Sequence, residues 1–166
     1  MKAEEMDRPP GEGGLLSGFS IHRARLADCP LIEEMSASFA SQDLLLPRTL
    51  GEIAKKVHEF LVVRSDTTVA GCVGLTPLHD ELLIYNLCIS SGNQGRGIGS
   101  ALVERAADIG SQLGFSALLA SSKYAGDWFV RHGFREVEPL GETEDWRGRF
   151  TQRQGSSIYR RVLVLG

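Results

Sequence analysis

The segment Gln94-Gly95-Arg96-Gly97-Ile98-Gly99 constrains the chain more than any other. An apolar run, Leu82 to Ser90, precedes it. Behind it Ile98, Leu102, Val103, Ala106 and Ile109 recur at helical spacing. A strand must therefore pass through a glycine-rich turn straight into a helix. The opening turn of a helix carries unpaired N–H groups and partial positive charge. Glycines let an anion approach that backbone closely. A glycine inside a helix costs about 1 kcal/mol relative to alanine, so glycines here need a purpose. A cradle for a pyrophosphate supplies one, with Arg96 adding a charge-assisted bond. The motif GxxxxGK[S/T] is absent, and the glycine spacing does not match GxGxxG.

The rest of the chain alternates strands and helices. Phe19–Arg25 predicts β1. Asp28 is placed to cap a helix whose first turn holds Pro30 and whose apolar face is Leu31, Ile32, Met35 and Phe39 (α1). After the apolar turn Leu44–Pro47, Thr49 with Glu52 forms a capping box for a second helix (α2), buried through Leu50, Ile53, Ala54 and Val57. Phe60–Arg64 (β2), Thr68–Thr76 (β3) and Leu82–Ser90 (β4) follow, with Pro77–Glu81 as a turn. The helix from about Gly97 to Leu113 (α3) ends at Gly114. Then come Phe115–Ser121 (β5), a short helix Asp127–His132 (α4) stopped by Gly133, Phe134–Val137 (β6) and Ile158–Leu165 (β7). This order implies one α/β domain with a mixed sheet and does not fit regular βα alternation. Residues 1–18 read as a flexible lead, and 19–166 as the folded domain.

Gln94, Gly97 and Gly99 match the Gln-x-x-Gly-x-Gly signature of the GNAT superfamily of N-acetyltransferases, and Gly133-Phe134 adds to the match. The chain resembles that superfamily over roughly residues 19–165. The resemblance implies a mostly antiparallel sheet, splayed between β4 and β5, with helices on both faces and acetyl-coenzyme A in the notch. It implies that the backbone of Leu87, Cys88 and Ile89 pairs with the pantetheine arm. The N–H groups of Gly95, Arg96, Gly97, Ile98, Gly99 and Ser100 would hold the pyrophosphate. Within the superfamily, Leu44–Thr49 and the frame from Tyr124 to Phe134 look like amino-acid acetyltransferases of the N-acetylglutamate synthase type. The sequence departs from those enzymes in β4, where Leu83 and Tyr85 stand in place of an acidic and a basic residue, and their cysteine-bearing tail is missing.

In many members a tyrosine just before the Gly-Phe pair protonates the leaving thiolate. Phe129 stands there and cannot donate a proton, so it is assigned to the cofactor side. Tyr124 matches a tyrosine of the glutamate-type relatives, and a phenol is a suitable donor to a thiolate. Glu81, just before β4, is the candidate base through a water. Arg48 is the candidate partner for an acceptor carboxylate, and Tyr85 for the acceptor pocket. The arginines and aromatics of Asp145–Phe150 would suit an anionic substrate or an association surface. Cys88 reads as a small buried hydrophobe, not a nucleophile.

Composition narrows the functional classes. A net charge of −3 gives no global basic field for nucleic acid or an anionic membrane. The opening residues lack a signal-peptide core, and no run of about 18 apolar residues could span a bilayer. Three cysteines without CxxC spacing read as reduced thiols of a cytoplasmic protein, and the four histidines form no metal motif. The expectation is a cytoplasmic, metal-free N-acetyltransferase using acetyl-CoA on a small-molecule amine. Self-association as a homodimer is compatible with it. A peptide or protein N-acetyltransferase and a non-catalytic acyl-CoA-binding module stand as alternatives.

Overall fold

A computed structural model describes residues 18–66, 68–138 and 155–164. Its elements are β1 (Ser20–Arg23), α1 (Cys29–Ser41), α2 (Leu50–Lys55), β2 (Phe60–Arg64), β3 (Val69–Leu78), β4 (Glu81–Ile89), α3 (Ile98–Leu113), β5 (Ala117–Ser122), α4 (Gly126–Arg131), β6 (Arg135–Val137) and β7 (Ser157–Val162), with short 3-10 turns at Leu26–Asp28, Val57–Glu59 and Ser91–Asn93. The order agrees with the sequence reading. Hydrogen-bonded neighbours run β1-β2-β3-β4-β5-β7-β6. The parallel ladder is β4 with β5, three residue pairs long, from Glu81 opposite Ala117 to Leu83 opposite Leu119. No helix among the described residues is long and apolar enough to cross a membrane.

The chain forms two compact units. Of the described residues, the first contains 18–66, 68–75 and Asn86–Ala106. Here β1 pairs with β2, and β2 with β3, both antiparallel. Ser90 N–H donates to the Ala70 carbonyl at 2.9 Å, tying the end of β4 to the start of β3. Phe60, Val62, Val63, Val73, Ile32 and Ile53 fill its interior. The spacing of Ile32, Met35 and Ser36 puts one face of α1 inward. Thr49 caps α2 as expected, its Oγ1 accepting the Glu52 N–H at 3.1 Å.

Asp28 does something other than the expected side-chain cap. Its carboxylate accepts the Arg25 N–H at 2.7 Å and both ends of the Arg64 guanidinium, so it is consumed before α1 begins. Burial alone would raise its pKa. The Arg64 hydrogen bonds, the Arg25 N–H and the charges of both arginines outweigh that, and the carboxyl is held below the usual carboxylate value.

The second unit contains Thr76–Tyr85 and residues from Ala107 on. There β5 pairs antiparallel with β7, and β7 with β6. Leu83, Leu119 and Ile158 make a core against which Leu78, Tyr85 and Val137 pack. Two helix ends are closed by left-handed glycines. Gly114 (φ 85°) and Gly133 (φ 87°) each allow a paired return bond: Phe115 N–H to Gly110 O, and Phe134 N–H to Phe129 O. Strand boundaries shift where pairing continues past the turn residues. Pro77 lies within β3, and the turn shrinks to His79-Asp80. Glu81 lies within β4 because it pairs with Ala117.

Candidate active site

The glycine-rich turn has the conformation that the spacing called for. Gly95 and Gly97 both take left-handed backbone angles, φ 78° and 79°. L-residues with a Cβ avoid this region. Gly97 is also the acceptor of the first helical bond, from Ala101 N–H at 3.0 Å. The N–H groups of Ile98, Gly99 and Ser100 therefore stand ahead of that bond, in the positive end of the α3 dipole. Gln94 braces the turn from below, its Nε2 donating to the Ile89 carbonyl at 3.3 Å. Nothing lies within 4 Å of where a Cβ would stand on Gly95 or Gly97. Arg96 between them is exposed. The Ile98 side chain is buried.

Gly71 on β3 makes the seat possible, and the sequence reading did not find it. A Cβ there would meet Ile98 Cγ2 and Ile89 Cδ1 at 3.0 Å and the Cys88 carbonyl at 3.1 Å. A side chain here would press on the first turn of α3 and the end of β4, which lie close against β3 at this residue. A lone glycine inside a strand is the available signal for such an approach.

Within the same unit lies a polar network. Arg48 is half-buried and donates from Nη1 to Asn86 Oδ1 at 3.3 Å and to the Leu46 carbonyl at 3.4 Å. Asn86, in mid-β4, donates from Nδ2 to Ser36 Oγ at 2.7 Å. Its own backbone is left-handed, φ 52°. Neither Asn86 nor Ser36 had been given a role from sequence. Of the backbone candidates Leu87, Cys88 and Ile89, Cys88 turns a fully buried side chain inward. The three cysteines are free thiols. Cys72 is hydrogen-bonded with Cys88 and buried, which raises its pKa and keeps it protonated.

The second unit holds the remaining candidates. Tyr124 follows β5, is 62% exposed, and has the Lys123 ammonium 5.5 Å from its ring centroid. Tyr85 is half-buried against the Leu83–Leu119–Ile158 core. Phe129 is buried between Trp128, Phe134 and Tyr159, with ring centroids 5.1, 5.2 and 5.8 Å away. A contact with the cofactor at this residue is thus limited to its backbone or ring edge. Gly126 lets Tyr159 take its place, since a Cβ there would collide with the Tyr159 hydroxyl.

Glu81, the candidate base, is only 3% exposed and accepts from Arg160 Nε at 3.0 Å. We therefore expect Glu81→Gln to lower Tm by about 3–6 °C, as loss of about 1–2 kcal/mol would do. If the pair supplies geometry and not proton transfer, kcat stays within about twofold. A collapse of kcat at unchanged Tm would assign Glu81 the role of base. The loop Asp145–Phe150 lies outside the described residues.

Comparison with known proteins decides the family. Residues 56–136 match the model of the acetyltransferase (GNAT) domain. An amino-acid acetyltransferase of Mycobacterium tuberculosis is 30% identical over 71% of this chain and 69% of its own length. The chain belongs to the GNAT acetyltransferases. It is an acetyl-CoA-dependent N-acetyltransferase. Among solved GNAT structures, the N-acetylglutamate synthase of Neisseria gonorrhoeae, complexed with coenzyme A and N-acetyl-glutamate, superimposes with a TM-score of 0.83 at 27% identity. That match covers 90% of this chain and 36% of the longer synthase. A Mycobacterium tuberculosis protein in complex with CoA gives a TM-score of 0.77 at 25% identity, over 87% of this chain and 99% of that one. For the GNAT fold, the short parallel β4–β5 ladder within an otherwise antiparallel sheet agrees with the architecture expected from the resemblance.

Proposed function

We propose that the protein moves the acetyl group of acetyl-CoA directly to the primary amine of an amino acid or another small carboxylated molecule. The observation that carries the acceptor class is Arg48, a half-buried guanidinium held by a residue of β4. A planar guanidinium suits a carboxylate, and a partly desolvated one binds it more strongly than a solvated one. The likeness to proteins named amino-acid acetyltransferases supports the same class.

Bound acetyl-CoA supplies an activated thioester. In this reading the N–H groups of residues 95–100 and the Arg96 guanidinium hold the pyrophosphate, and the backbone of Leu87–Ile89 aligns the pantetheine arm. The acceptor amine, once neutral, attacks the carbonyl carbon, the C–N bond forms and the C–S bond breaks. The amine proton leaves to water, and Tyr124 Oη gives its proton to the departing thiolate. A phenol has an ordinary pKa near 10, close enough to a thiol for efficient transfer.

Thiol release from acetyl-CoA, measured with the twenty amino acids, simple amines and short peptides, tests the assignment. Amino acids should give the highest kcat/KM. Preference for peptides would replace this reading with a protein N-acetyltransferase, and CoA binding without turnover would make the chain a binding module. Tyr124→Phe should lower kcat at least about tenfold with KM for acetyl-CoA within about twofold. An unchanged kcat would remove Tyr124 as the acid.

A further inference from the structure

We propose that Asn86 is a positioning residue for acceptor recognition: it aims the Arg48 guanidinium at the acceptor's carboxylate, with Ser36 locking Asn86 in turn. The inference rests on the amino-acid reading above and adds the residues that set its specificity.

The amide of Asn86 has one satisfiable orientation. Ser36 Oγ donates its proton to the Ile32 carbonyl at 2.7 Å, so toward Asn86 it can only accept. The Asn86 NH2 group must face Ser36, and does so at 2.7 Å. The amide oxygen is thereby turned toward Arg48, which can only donate, at 3.3 Å. The relay Ile32–Ser36–Asn86–Arg48 thus runs from the inner face of α1 to the guanidinium. Ser36 and Asn86 are 1% and 3% exposed, so solvent does not compete for their bonds.

The backbone makes the same demand independently. At φ 52° in the middle of β4, Asn86 occupies a region that glycine and asparagine tolerate and most other residues avoid. Its carbonyl also accepts from Cys72 Sγ at 3.5 Å, holding the irregular residue against β3. The amide oxygen that orients Arg48 is itself neutral, whereas an aspartate there would add a negative charge beside the guanidinium.

The experiment compares the wild type with Asn86→Gly, Asn86→Asp and Arg48→Ala. Each amino acid that turns over is assayed against its own α-carboxamide, with Tm measured for every variant. Asn86→Gly keeps the left-handed backbone free of strain. It should raise KM for the amino acid at least tenfold, leave KM for acetyl-CoA within twofold, and change KM for the carboxamide little. Asn86→Asp should give the same loss of acid-over-amide preference, which covers the case of a poorly folding glycine variant. An equal change for acid and amide, or no change for either, in a folded Asn86 variant would overturn the proposal. If Arg48→Ala abolishes the preference while neither Asn86 variant does, the positioning role alone falls. If Arg48→Ala leaves the preference intact, or no amino acid turns over, the amino-acid reading falls and this one with it.

Discussion

Gly97→Val should abolish measurable acetyl-CoA binding while the protein still folds. At φ 79° a β-branched residue is strained by roughly 1–2 kcal/mol, a cost that a domain of this size survives. The site does not survive it. Either the residue relaxes to negative φ and swings the Ile98–Ser100 N–H groups away, or it stays and sets two methyl groups over them. At roughly 1.4 kcal/mol per tenfold, losing two charge-assisted bonds to phosphate predicts an affinity drop of about 100-fold or more. Calorimetric titration with CoA, alongside a Tm expected to fall by no more than about 6 °C, checks this. Retained affinity in the folded variant would put the pyrophosphate elsewhere.

Asp28→Asn should be the most destabilising of the substitutions considered. The change leaves the part-buried Arg64 guanidinium beside the neutral amide of a buried residue. Breaking a buried pair from one side costs about 3 kcal/mol, or about 10 °C in Tm for a chain of this length. Its pH dependence has a definite sign. The folded-state pKa lies below the unfolded value of about 3.9, so the folded state binds fewer protons in that range. The stabilisation is full above about pH 4 and is lost as pH falls through the folded-state pKa. The gap in unfolding free energy between wild type and variant should therefore be widest near neutrality and close in acid. Denaturant titrations at pH 7 and pH 3 measure it. An equal gap at both would show that packing, not charge, is responsible.

The cradle was legible because its signal is local. Gln94, Gly97 and Gly99 lie within one turn, between an apolar run and a 3.6-residue repeat, and the strand–turn–helix order follows from that spacing. Gly114 and Gly133 were legible as helix stops for the same reason. Where a side chain's role depends on a partner far along the chain, the sequence was silent or misleading. Asp28 looks like a helix cap until Arg64, on β2, takes its carboxylate. Glu81 reads as the last residue of a turn and a candidate base until β5 extends the ladder to it and Arg160 arrives from β7.

By itself, then, the sequence determined the donor chemistry and the order of elements, because periodicity, glycine spacing and turn residues act over a few positions. The tertiary structure decided which polar groups are spent on cohesion and which are aimed. Asn86 could not be distinguished from any strand asparagine until its backbone took a left-handed turn and Ser36 and Arg48, far apart in sequence, closed on its two amide ends. Hydrogen bonds between distant residues depend on register and burial, and neither is written in any short stretch of chain.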